Sequence, residues 1–187
     1  MPDPREIYVA LLRGINVGGA NIIPMAALRA SFQALGFDEV ATYIQSGNVV
    51  FRARRGEPRR MATRIEKALS SEFGYVATIA LRSHAQMQRV IAEAPEGFGE
   101  APRIYAYSVI FLKDLTASTL MPSIKLRDGV DEAHAGDGVV YFSRLISRAS
   151  QSQMSRLIAL PAYKQMTIRN WNTTTKLLKL MDSKARG

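Results

Sequence analysis

Residues 40–52 read Val-Ala-Thr-Tyr-Ile-Gln-Ser-Gly-Asn-Val-Val-Phe-Arg. Two strand-forming runs, Val40–Gln45 and Val49–Arg52, flank Ser46-Gly47-Asn48. Glycine and asparagine between β-branched and aromatic runs make a tight hairpin signal. Helical patterns lie on both sides. Upstream, Met25, Leu28, Phe32 and Leu35 recur at three and four residues, Pro24 suits a first helical position, and Gly36 sits where a helix ends. Downstream, Pro58 opens a second helix whose apolar face is Met61, Ile65, Ala68 and Leu69, and which ends before Gly74. Outside the helices lie Ile7–Leu12, a continuous apolar run of the kind buried central strands have, and Tyr75–Leu81. The order is β-α-β-β-α-β, the split βαβ arrangement of ferredoxin-like folds.

The second half is less regular. Ser83 is placed to cap a helix carrying Met87, Val90 and Ile91, and Ile104–Leu112 reads as a long strand. Leu115–Ile124 is a short helix or loop. Val130–Ala135 and Val139–Leu145 flank Gly136-Asp137-Gly138, a second hairpin signal. Ser152–Leu160 predicts a helix stopped by Pro161, and Thr167 predicts the cap of a last helix carrying Trp171, Leu177, Leu178 and Met181. No repeat of 34–50 residues is visible. Glu96–Pro102 is the best boundary, which predicts an α+β protein in two parts. Residues 1–97 form the ferredoxin-like half, and residues 98–187 form a smaller α+β half with the terminal helix, packed against the first.

Zero cysteines exclude disulfides, thiol catalysis and cysteine-ligated metals. The apolar runs are too short to span a bilayer, so no membrane partner is expected. The opening Met1–Glu6 lacks a basic stretch followed by an apolar one, so no secretory leader is expected. Cytoplasmic residence is the reading that follows. The formal net charge is +9, and residues 101–187 carry 13 Lys/Arg against 6 Asp/Glu. From Gly138 to Met181 there is no acid, yet Arg144, Arg148, Arg156, Lys164, Arg169, Lys176 and Lys179 all fall there. A surface of this kind favours an anionic partner, nucleic acid or a nucleotide phosphate. Nothing in the sequence indicates an oligomeric state.

Three separated motifs occur together: Leu11-Leu12-Arg13-Gly14-Ile15-Asn16-Val17-Gly18-Gly19 with Ile23-Pro24-Met25, then Thr42–Phe51, then Thr167-Ile168-Arg169-Asn170-Trp171-Asn172-Thr173 with Lys176-Leu177. In these the chain resembles the bacterial family catalogued as domain of unknown function 1697, over nearly its whole length. The resemblance implies an α+β fold containing a ferredoxin-like unit and implies no particular activity.

The loop after the first strand is the first candidate site. Glycines permit positive φ and close backbone approach, and an arginine can pair bidentately with phosphate or carboxylate. Arg13, Gly14, Asn16, Gly18, Gly19 and Asn21 are the candidates there. The alternative is a structural loop closed by its own asparagines and packed with Ile15 and Val17. The loop has neither a P-loop Lys-Ser/Thr nor a dinucleotide fingerprint, so no cofactor is expected. In the second candidate segment, Arg169, Asn170, Asn172 and Thr173 stand where a helix begins and suit an anion, with Trp171 as core anchor. There the alternative is that the asparagines cap backbone. The Gln45–Asn48 turn is expected at the end of the sheet opposite the glycine loop and so to be structural. Arg52, Arg54, Arg55, Arg59, Arg60 and Arg64 read as a solvated basic face that lacks the aromatic interleaving of a single-strand platform. Asp131, His134 and Asp137 have metal-ligand chemistry, but a surface hairpin is the simpler reading, and no metal is expected. The function these residues point to is binding of an anionic ligand. A small enzyme acting on a phosphorylated or carboxylated metabolite, with unknown catalytic residues, and a structural module without ligand are the alternatives.

Overall fold

Arg5–Leu12 forms β1, whose even-numbered side chains Tyr8, Ala10 and Leu12 enter one core while Ile7, Val9 and Leu11 are buried on the other face. The structure is a computed structural model that describes residues 5–186; Met1–Pro4, part of the stretch read for a leader, and Gly187 lie outside the described residues. The protein is α+β, with two four-stranded sheets in which all paired strands are antiparallel. The chain divides into two compact units, Met1–Met87 with Leu177–Gly187, and Gln88–Lys176.

In the first unit β1 is followed by α1 (Met25–Ala34), β2 (Asp38–Tyr43), β3 (Asn48–Arg54), α2 (Pro58–Phe73) and β4 (Ile79–Ser83). The sheet order is β2-β3-β1-β4. Leu28 and Phe32 of α1 and Ile65 and Leu69 of α2 cover one face of this sheet, with Phe37 and Phe51 4.5 Å apart at its centre. Pro58 is the first residue of α2, and Gly74 closes that helix at φ 67°. Pro24, read as the first helical residue, instead precedes α1 in extended conformation, the φ of proline being compatible with both places.

One expectation is overturned here. β1 and β3 are antiparallel with Leu11 opposite Asn48, and Leu12 N–H donates to Gly47 O at 2.8 Å. The end of β1 therefore meets the start of β3, and the Gln45–Asn48 turn lies at the same end of the sheet as the glycine loop. Because β2 is antiparallel to β3, it runs parallel to β1, so both strands finish at that end.

α3 (His84–Ala92) begins in a reciprocal cap: Gln86 N–H donates to Ser83 Oγ, and Ser83 N–H to Gln86 Oε1. In the second unit β5 (Tyr105–Leu112), α4 (Ala117–Leu120), β6 (Asp131–Gly136), β7 (Val139–Leu145) and β8 (Met166–Asn170) precede α5 (Trp171–Arg186), with sheet order β6-β7-β5-β8. Ser152–Leu160 is no α-helix: a 3₁₀ helix occupies Met154–Ala159, and another follows at Pro161–Gln165. Of Met154–Ala159 only Leu157 is buried, so no apolar stripe exists to hold a longer helix. Thr167 is no cap either; it lies inside β8, and the cap of α5 is Asn170. α3 and α5 each cross from one unit to the other. Within the first unit, His84 Nε2 on α3 meets Asp182 Oδ1 on α5 at 2.6 Å. No helix among the described residues is long and apolar enough to cross a membrane.

Candidate functional site

The glycine loop is a small projecting hairpin. Val17 bridges Ala20, and Gly18 and Gly19 between them have φ of 59° and 77°, positive at both central residues as a type I′ turn requires. Its asparagines are committed to the chain. Asn16 Nδ2 donates to Ile23 O at 3.1 Å and to Gln45 O at 2.9 Å, and Asn16 Oδ1 accepts from Ile23 N–H at 2.8 Å. Asn21 Nδ2 donates to Gly14 O at 2.9 Å. Both side-chain donors of Asn16 are thus used. Ile15 is fully buried beneath the loop, while Val17 and Ile22 are exposed. Arg13 is half-buried at the loop's base, with its N–H bonded to Thr78 O at 2.9 Å. Gly14, Gly18 and Gly19 are exposed.

In the second unit Asn170 Oδ1 accepts from Thr173 N–H at 2.7 Å, an N-cap of α5, and Thr174 Oγ1 donates to Asn170 O at 2.9 Å. Thr173 is buried and Asn172 exposed. Trp171 stands edge-on to Phe98 with ring centres 5.1 Å apart. Arg169 is only 7% exposed. Its Nη1 donates to Thr167 Oγ1 at 3.0 Å and Ile168 O at 2.9 Å, and burial pushes its pKa down to about 10, which leaves it charged at neutral pH. Arg13, Gly14, Asn16, Gly18, Gly19 and Asn21 therefore sit together on one loop of the first unit. Arg169, Asn170, Asn172 and Thr173 sit together at the β8–α5 junction of the second.

The other end of the first sheet gathers part of the basic cluster expected as a solvated face into a cleft. A cleft of about 340 Å³ is lined by Arg5, Arg54, Arg60 and Arg64 together with Asp38 and Glu57, with Phe37, Ala53 and Met61 as its apolar lining. Clefts that hold small ligands begin at about 300 Å³. Arg5 pairs with Asp38, and Arg60 Nε lies 2.9 Å from Glu57 Oε2. Arg64 bonds to Leu35 O and lies over the Phe37 ring at 5.4 Å. Arg54 is exposed and makes no side-chain hydrogen bond or ion pair among the described residues.

Two like-charge pairings stand out. Arg5 and Arg54 are directly opposite one another across β1 and β3, and Arg60 and Arg64 are four residues apart on α2. Like charges so placed are mildly destabilising, by roughly 0.2–0.5 kcal/mol for the helical pair. Three of these arginines belong to the cluster read as a solvated face. Arg5 was missed, because its place opposite Arg54 depends on the antiparallel register.

The acids of the second hairpin do not gather. Asp131 is buried, with Oδ2 accepting the N–H groups of Arg127 and Gln153; Asp137 pairs with Arg89 at 3.4 Å; and His134 is 4.0 Å from Glu132. Among the described residues no group of three or more His, Asp or Glu is placed to hold a metal ion.

Two antiparallel four-stranded sheets with accompanying helices define an α+β protein, and this architecture is shared with a solved structure. The structure of the conserved bacterial protein SP0830 from Streptococcus pneumoniae is similar over 95% of this chain and 99% of its own, with a TM-score of 0.82 and 23% sequence identity, a likeness of fold alone. The chain belongs to the family described as "Protein of unknown function (DUF1697)", whose model matches residues 6–141. No curated protein matches.

Proposed function

We propose that the protein binds an anionic ligand, a nucleotide phosphate or a nucleic acid, in the arginine cleft of its first unit. The observation that carries this reading is the meeting of Arg5, Arg54, Arg60 and Arg64 around one cleft, with Asp38 and Glu57 the only lining acids among the described residues. Guanidinium forks match the planar spacing of phosphate oxygens, and like-charged neighbours are relieved by an anion between them. The order β-α-β-β-α-β and the sheet order β2-β3-β1-β4 support a ferredoxin-like reading of this unit. In that arrangement the cleft lies beside the start of β1.

The test is binding of single-stranded RNA, single-stranded DNA and mononucleotides at two salt concentrations. Binding that weakens as salt rises, and that Arg54→Gln reduces about tenfold, is the expected result. Absence of binding to all three at low salt overturns the reading. Loss of binding in Arg13→Gln with Arg54→Gln unaffected moves the ligand to the loop of Arg13, Gly14, Gly18 and Gly19. For the Asn16 and Asn170 motifs a second reading is favoured by their own bonds: side-chain groups spent on Ile23, Gln45 and Thr173 build the fold.

A further inference from the structure

Resting on the anion-binding reading of the same cleft, we infer that its occupant is the dianion of a phosphomonoester carried on a small apolar or planar body. The charges around the cleft decide this. Arg5 is engaged by Asp38 and Arg60 by Glu57. Arg64 spends its hydrogen bond on the neutral carbonyl of Leu35, and Arg54 has no ion pair among the described residues. Among the described residues four arginines line the cleft against two carboxylates, an excess of two positive charges. A phosphodiester linkage, the repeating group of a nucleic-acid backbone, brings one negative charge. A phosphomonoester brings about 1.5 to 2 at neutral pH, because its second pKa lies near 6. It also concentrates three acceptor oxygens on one centre, where several guanidinium groups can share them.

Size and lining agree with the charge. A space of about 340 Å³ takes a phosphoryl group and one ring, whereas a polymer needs an extended groove with stacking platforms. The apolar lining of Phe37, Ala53 and Met61 suits the carbon body of such a ligand, and Arg64 already lies on the Phe37 ring. Among the described residues the charged groups lining the cleft, on β1, β2, β3, α2 and the residue before α2, are Arg5, Asp38, Arg54, Glu57, Arg60 and Arg64.

The experiment titrates the full chain by calorimetry with phenyl phosphate, with its diester methyl phenyl phosphate, and with phthalate as a dicarboxylate. At pH 7.5 the monoester is expected to bind at least about tenfold tighter than the diester or phthalate, and at pH 5.0, where it is mostly a monoanion, its advantage over the diester falls below about threefold. Arg54→Gln, at an exposed position, is expected to remove that advantage with the thermal midpoint unchanged. An advantage that survives Arg54→Gln overturns the assignment to this cleft. Equal binding of monoester and diester at pH 7.5, or phthalate binding as tightly as the monoester, overturns the phosphomonoester and leaves the anion site standing. Binding of none of the three overturns both.

Discussion

At Gly47 the chain has no room for a methyl group. Its φ is 81°, and a Cβ built there would lie 2.7 Å from Ile15 Cδ1 and 2.8 Å from both Ile15 Cγ1 and Leu12 Cβ. The neighbours cannot give easily, because Ile15 is fully buried beneath the loop and Leu12 belongs to the central strand. Gly47→Ala is expected to destabilise the protein by about 2–4 kcal/mol, combining left-handed strain with overpacking, as a fall in the urea midpoint at unchanged slope. A loss under about 0.5 kcal/mol would show that the contact relaxes freely. The turn chemistry of Gly47 was legible in the Ser-Gly-Asn signal, and the packing was not. Its partner comes from a loop 32 residues earlier in the chain, joined to it by the antiparallel register. Arg5 was hidden for the same reason, since one residue of slip would place a different side chain opposite Arg54.

Helices and strands show the same division between local and non-local information. α2 was legible from end to end: Pro58 at its start, Ile65 and Leu69 on one face, and Gly74 at the close. β8 was not. In Met166–Asn170 the buried positions include Thr167 and Arg169 as well as Met166, so the alternation of apolar and polar residues that marks a half-buried strand is absent. With β8 unseen, Thr167 took the capping role that Asn170 fills. The correct cap gives a sharp contrast at the start of α5. Asn170→Ala, which removes the acceptor of Thr173 N–H, is expected to cost about 1 kcal/mol. Asn172→Ala, at an exposed position two residues on, is expected to change stability by less than about 0.5 kcal/mol. Thermal melts of both variants check this; equal losses would show that the cap bond is not what Asn170 contributes.

Across the molecule a common plan joins the two units. Their sheet orders, β2-β3-β1-β4 and β6-β7-β5-β8, correspond strand for strand. The correspondence extends to single residues. Arg82 is the second-last residue of β4 and Arg169 the second-last of β8, both are buried, and each donates Nη1 to the carbonyl of the residue before it. Ser83 and Asn170 follow them and cap α3 and α5. No short repeat betrays this in the sequence, because the likeness is one of whole sheets, and the connection that is the long helix α2 in the first unit is made of 3₁₀ segments in the second. Both units also bury phenols. Tyr8 and Tyr75 in the first and Tyr141 in the second each have a pKa pushed up to about 12, burial being the largest cause. Tyr141 Oη also donates to Val90 O at 2.7 Å. A tyrosine with a raised folded value holds its proton more tightly when folded than when unfolded, so stability linked to these groups is complete below about pH 10 and is lost as pH rises through about 12. Alkaline unfolding followed by far-ultraviolet circular dichroism is therefore expected to begin above about pH 10, and part of the phenolate absorbance is expected to rise only with the loss of structure. If all seven tyrosines titrated near pH 10 while the dichroism stayed constant, the buried phenols would not be coupled to folding in either unit.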